Sequence, residues 1–226
     1  MNEVLSGTFF SLTLCLCAYL LGVWVNRRTR LAVLNPLLVA VVLCIAVLKI
    51  FHLDYGTFAQ GSSFISLLLT PAVVALALPI YRNLELLRQN LIPVLGGALV
   101  GAAVSLGSIT VLCKLLGVEG TLALSLLPKS VTTPIAMEVS EMLGGAPAIT
   151  VSCVIFTGIF GAVCAPLLLK LTRADPLSSG VGLGACAHGI GTARALELDD
   201  SMGAMAGVSV SLSGVFTALL ALFYLL

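Results

Sequence analysis

Pro128-Lys129-Ser130-Val131-Thr132-Thr133-Pro134 sets a cation and three hydroxyls between two prolines. Proline removes a backbone donor and clashes with the turn before it, so the helical ladder breaks here. The surroundings make the break decisive. Of 226 residues, 59% are hydrophobic and only 9% are charged, where a soluble domain carries about 25% charge. A cation in hydrocarbon costs roughly 2.5–3.5 kcal/mol even on lenient insertion scales. Irregular polar backbone at that depth persists only where protein covers it or a wet cavity receives it. The stretch therefore reads as half of a solute-binding site in an integral membrane protein.

Working outward, the chain has room for six to eight spans of about 20 residues, and no soluble domain fits beside them. Apolar runs cover Thr8 to Val25, Pro36 to Phe51, Ser62 to Tyr81, Leu91 to Leu116, Pro147 to Leu171 and Met202 to Leu226. Arg82 to Asn90 is an amphipathic connector. Two stretches, Thr121 to Ala146 and Asp175 to Asp200, are ambiguous. The expected organisation is a single membrane domain over 1–226, with two scaffold spans in 1–60 and a broken-helix region in 61–226.

Charge placement orients these runs. Arg27, Arg28, Arg30, Arg82, Arg88, Lys170 and Arg173 fall in three loops. If those loops are cytoplasmic, the N-terminus is outside, and the span ending at Lys170 must run inward. Thr121 to Ala146 must then leave and re-enter on the outer side, and Asp175 to Asp200 must dip in from the cytoplasm and return. The expected fold is all-α and polytopic, with about six full transmembrane helices and two opposed broken, re-entrant segments. The alternative is that each ambiguous segment crosses fully as a broken helix, leaving one basic loop on the wrong side. Opposed broken segments mark many inverted-repeat transporters, whose sites lie where such segments meet; that likeness is an analogy from topology.

Three broken segments carry the candidate chemistry. Thr70 to Pro79, with helix breaks at Pro71 and Pro79, has Thr70 as its one polar side chain and reads as a kinked packing helix. In the second, Pro128 to Pro134, a helix restarting at Pro134 puts Thr132 or Thr133 near its N-cap. The positive end of that helix then points into the break beside Lys129, which makes an anion site. The competing reading has Lys129 snorkelling to the interface, and Glu138 or Glu141 would weaken the anion argument by pairing with it. The third is Gly184-Ala185-Cys186-Ala187-His188-Gly189-Ile190-Gly191-Thr192-Ala193-Arg194-Ala195. Gly189 and Gly191 expose backbone N–H groups, Thr192 is placed to cap a short helix, and Arg194 has the fork to grip a carboxylate. His188 titrates near neutral pH and is the candidate for proton coupling. The competing reading is a cytoplasmic loop with a structural histidine.

The remaining features read as structural. Gly97, Gly101 and Ser105, like Gly203, Gly207 and Ser211, form small-residue stripes suited to close packing in lipid. The seven cysteines lie in apolar runs without ligand spacing and read as free thiols. There is no Walker loop, paired metal-ligand set or GxSxG, so no cofactor or metal is expected. A helix would point the adjacent Lys129 and Ser130 apart, which argues against a Ser–Lys hydrolase; an enzyme is not expected. Net charge +1 argues against a nucleic-acid partner. Met1-Asn2-Glu3 lacks a basic n-region, so the first run reads as a retained helix and the location as a bacterial inner membrane.

The two polar breaks resemble the hallmarks of the LrgB/CidB family of bacterial membrane proteins, whose plant relative is the plastidal glycolate/glycerate translocator. Residues 128–136 match its PKSVTTPIA motif, and 187–195 match its second hallmark. The first segment departs from the family's GPATVALAVP at Thr70 and Val73. The resemblance implies carriage of small acids such as glycolate, glycerate or pyruvate. It also implies control of murein hydrolases and lysis with a small LrgA/CidA-type membrane partner. The expected function is a secondary carrier of small monocarboxylates, with Lys129, Ser130, Thr132, Thr133, Gly189, Gly191, Thr192 and Arg194 binding the solute. A holin-like or antiholin-type regulator of permeability is the alternative. A homodimer is the expected assembly for a carrier this small.

Overall fold

The structure is a computed structural model and describes residues 8–29, 34, 36–68, 71, 74, 75 and 77–225. Contacts divide the chain into two compact units, Met1–Ala72 and Val73–Leu226.

In the first unit, α1 (Thr8–Thr29) and α2 (Pro36–Ile50) form a hairpin. Gly22 makes it close: a Cβ there would lie 2.9 Å from Pro36 Cα. Asn26 Nδ2 donates to the Leu34 carbonyl at 3.0 Å across the turn, and the thiols of Cys15 and Cys44 are neighbours farther along. Asp54 then caps α3 (Tyr55–Gly61) by accepting from Thr57 N at 3.0 Å, and α4 (Ser63–Leu67) follows. Thr70 and Val73 of the first broken segment lie outside the described residues. Pro71 is exposed.

The second unit opens with α5 (Ala77–Arg82), which contains Pro79, and α6 (Leu84–Gln89). Then come α7 (Leu91–Leu116), α8 (Gly120–Leu126), α9 (Thr133–Met142), α10 (Pro147–Thr172), α11 (Pro176–Leu198) and α12 (Asp200–Ala221). Gly117, in the left-handed region at φ 67°, ends α7 where the sequence predicts. All described secondary structure is helical or turn.

Among the described residues, four helices are long and apolar enough to cross a bilayer: Phe9–Thr29, Leu91–Leu116, Pro147–Thr172 and Asp200–Tyr224. The second expected span, Pro36 to Phe51, is a shorter apolar helix, Pro36–Ile50, of 15 residues. The third, Ser62 to Tyr81, is described only in part, as α4 and α5. Large apolar side chains face outward along these helices; Ile92, Leu115 and Phe156 are each more than 70% exposed. A soluble monomer does not carry such a surface, and hydrocarbon accommodates it. The chain is an all-α, multi-pass membrane protein.

Small residues set the packing inside the second unit. Met205 and Val208 of α12 share a buried cluster with Val94 of α7 and Val181 of α11. Gly97 and Gly101 bring α7 against Val181 and Ala185; a Cβ at Gly101 would meet Ala185 Cβ at 3.0 Å. Without a hydrophobic drive between helices in lipid, this close approach supplies the van der Waals contact that holds them.

Candidate functional site

Two broken segments, left open between crossing and returning by the sequence, both turn back. The first is α8, a turn at 127–130, and α9. Its base closes through a buried polar knot. Ser125 Oγ accepts from Ala146 N at 2.7 Å, and Thr150 Oγ1 lies 2.9 Å from the Ser125 carbonyl and 2.7 Å from Ser140 Oγ. Ser125, Ser140 and Thr150 are all fully buried. Gly144 takes φ 82° at the end of α9, and a Cβ on Gly145 would lie 3.0 Å from Ser125 N, so this glycine pair permits the closure. Residue 125 can meet residues 146 and 150 only if the chain between them reverses.

The second reversal lies within α11, where His188 leaves helical geometry at φ 43°, ψ −136°. A Cβ on Gly191 would sit 2.6 Å from the Leu183 carbonyl oxygen, whereas eight residues of straight helix span about 12 Å. The neighbours of α12 agree. Residues 180 and 184 contact 202 and 206 in parallel, while Leu196 on the returning arm contacts Gly203. Asp175 opens the segment by accepting from Leu177 N and Ser178 N at 3.0 and 3.1 Å, and Pro176 occupies the first turn.

Helix α10 is the spine along which both hairpins lie, from opposite ends. Thr150 holds the base of the first hairpin. Val154 packs in a buried cluster with Val131 and Ala136 at its tip. The second hairpin lies against the other half: Gly158 faces the His188 ring, Gly161 faces Ala187, and Ala165 clusters with Leu183 and Ala195. The tips meet at Val154, whose carbonyl oxygen is 2.9 Å from His188 Nε2. As the carbonyl can only accept, this nitrogen carries the proton.

The polar groups collect at this meeting point. Lys129 Nζ donates to Ser130 Oγ at 3.0 Å, and Ser105 Oγ of α7 donates to the same oxygen at 2.8 Å. The expectation that residues 129 and 130 point apart assumed a helix; here they lie in a turn and their side chains converge. Lys129 is half-buried and close enough to Cys153, Cys186 and His188 to interact electrostatically. Among the described residues the one ion pair is Arg194 Nη1–Glu197 Oε2 at 2.7 Å, so Lys129 has no carboxylate partner. Glu138 and Glu141 are exposed on α9.

The other expected site residues divide. Thr132 takes the N-cap position of α9, with Pro134 in its first turn, yet its hydroxyl caps nothing; Oγ1 is buried without a hydrogen-bond partner. Pro128 is fully buried within the turn, and Thr133 begins α9 half-buried. Gly189 is exposed on the returning arm, while Gly191 is buried against residues 183 and 187. Thr192 Oγ1 donates to the His188 carbonyl at 2.9 Å, bracing the reversal. Arg194 lies on the returning arm, engaged with Glu197, and its Nε is buried without a partner.

Two neighbours are not among the expected site residues. Ser105 read as the end of a packing stripe; the Gly97–Gly101–Ser105 period does pack α7 on α11, and the third position of the stripe then reaches Ser130. Ser213 of α12 is 2% exposed, and its Oγ has no partner. The next residue, Gly214, packs against Ile135 in the first turn of α9.

Similar proteins cover nearly the same length. The chain is 38% identical over 203 residues to the uncharacterized protein YxaC of Bacillus subtilis strain 168, covering 89% of this chain and 88% of the relative. It is 36% identical over 216 residues to YwbG of the same organism, covering 95% and 96%. It is 32% identical over 211 residues to the antiholin-like protein LrgB of Bacillus cereus strain B4264, covering 92% of each. No solved structure matches. The model of the LrgB-like family matches residues 15–226, which include both hairpins, and the chain belongs to that family.

Proposed function

We propose that this chain is a secondary carrier of small monocarboxylates, such as glycolate, glycerate, pyruvate or a related 2-hydroxy or 2-oxo acid, working by alternating access. The observation that supports it most is an uncompensated Lys129 ammonium beside hydroxyls where two opposed hairpins meet. Lys129 neutralises the carboxylate. Ser130, Thr132, Thr133 and Thr192 supply hydrogen bonds, Gly189 and Gly191 supply backbone N–H groups, and His188 carries the coupled proton. Arg194 joins in a state where its pair with Glu197 opens. The clustering of basic residues supports a bacterial inner-membrane location with the N-terminus outside, and a carrier of this size is expected to work as a homodimer.

The second reading is an antiholin-like regulator acting with an LrgA/CidA-type partner on permeability, murein hydrolases and lysis. The names of the relatives favour it more than they favour any substrate. Uptake and counterflow of labelled pyruvate and glycolate in vesicles holding only this chain separate the two. A carrier gives saturable exchange that Lys129→Ala abolishes. A regulator gives no saturable exchange, or graded leakage indifferent to residue 129, and that result overturns the carrier.

A further inference from the structure

Ser130 Oγ sits at the centre of the tip and accepts twice, from Lys129 Nζ at 3.0 Å and from Ser105 Oγ at 2.8 Å. A hydroxyl has two lone pairs and one proton. With both lone pairs filled, Ser130 can offer a further group only its proton. Lys129 has donors alone, and its two remaining N–H bonds have no carboxylate to receive them. The pair therefore presents donors and no acceptor. Ser130 is 7% exposed, so water does not readily substitute for a missing partner. The buried hydroxyls of Thr132 and Ser213, each without a partner, mark the neighbourhood as incomplete in a second, independent way.

We propose that Ser105 is a positioning residue of this site: by filling the second lone pair of Ser130 it turns the Ser130 proton outward, so that Lys129 and Ser130 together take an acceptor-only oxygen, a carboxylate rather than a carboxamide. This rests on the tip being a solute site. Hydrogen-bond polarity sets this preference. A carboxylate accepts from both groups. A carboxamide nitrogen turned toward them brings two N–H donors that find no acceptor, and an unmatched buried donor is costly. Removing the Ser105 hydroxyl frees one lone pair on Ser130. The serine can then accept as well as donate, and the preference for an acceptor falls.

The test is ligand-induced thermal stabilisation of the purified full chain, titrated with pyruvate and with its neutral isostere pyruvamide. For Ser105→Ala we expect pyruvate to bind roughly three- to tenfold more weakly, the range of one lost hydrogen bond, with pyruvamide binding held or strengthened. Ser105→Thr, which keeps the hydroxyl, stays near the parent protein. In a Ser130→Ala background, Ser105→Ala has no further effect, because the two act as a unit. Equal weakening of both ligands, unchanged pyruvate binding, or failure of Ser105→Thr to rescue overturns the proposal. If pyruvate gives no Lys129-dependent stabilisation of the parent protein, the solute site itself fails and takes this role with it. Lys129-dependent stabilisation that ignores Ser105→Ala sinks the Ser105 role alone.

Discussion

His188 Nε2 lies 2.9 Å from the carbonyl oxygen of Val154, and the same Val154 packs against Val131 of the opposite hairpin. One residue in the first half of α10 thus touches the tips of both re-entrant segments. The left-handed backbone of His188 is uncommon for a residue with a side chain, and it persists because packing over-determines it. The ring is pressed against Gly158, its Nε2 is held by Val154, and its own carbonyl is held by Thr192.

Adding a methyl at Gly158 should disturb this joint. Its Cβ would lie 2.6 Å from His188 Cε1 and 2.7 Å from Ile190 Cδ1. Overpacking of this kind costs about 1–3 kcal/mol. Gly158→Ala should lower the melting temperature and cut solute uptake, while Gly182→Ala and Gly107→Ala, where a Cβ meets nothing within 4 Å, should be tolerated. Melting curves followed by intrinsic fluorescence decide it; equal behaviour of the three variants would show that the joint is not tight.

The polar knot under the first hairpin makes a separate demand. Thr150→Val keeps the shape but strands Ser140 Oγ and the Ser125 carbonyl, all in fully buried surroundings. Leaving such groups unsatisfied costs about 1–3 kcal/mol. We expect a loss of thermal stability of that order, with Thr150→Ser restoring most of it. A Val variant as stable as the parent protein would remove the knot from the account of why the hairpin closes.

Water reaching the tip should be visible through Cys186, two residues before the reversal and exposed. In a variant retaining only this cysteine, a small charged methanethiosulfonate reagent is expected to label it, and millimolar pyruvate is expected to slow the labelling severalfold by occupying the space beside Lys129. Labelling rates that ignore pyruvate would place the solute elsewhere.

The entry to α11 should respond to acid. Hydrogen bonds, chiefly from Ser178 and then from Leu177 N, hold the Asp175 carboxyl below its usual range. A depressed native value means that the cap stabilises the fold above the ordinary Asp value of about 3.9. This contribution is lost as the pH falls through the lowered native value. Asp175→Asn should flatten that part of the stability–pH curve, and a variant with the same acid slope as the parent protein would refute the assignment.

Much of the architecture is legible in the amino-acid sequence. The apolar runs at Leu91 to Leu116 and Pro147 to Leu171 became α7 and α10 within a residue at each end, because length and hydropathy alone meet the demand of a bilayer. Charge placement favours two returning segments over two full crossings, and both segments return. Lys129 was identifiable because a cation in such a chain needs a reason to be there.

The neighbours of Lys129 were not legible. Ser105 stands 25 positions away from Ser130 in a stripe that reads as packing, and its hydroxyl reaches the site only because α7 runs beside α11. The convergence of Lys129 and Ser130 required the turn at 127–130, and the engagement of Arg194 with Glu197 required the return of α11. Composition and period determine which segments enter the bilayer and where they break, since these depend on local transfer energy and backbone chemistry. Which side chains then meet depends on the register between helices far apart in sequence, and in lipid that register is set by where small residues let backbones touch.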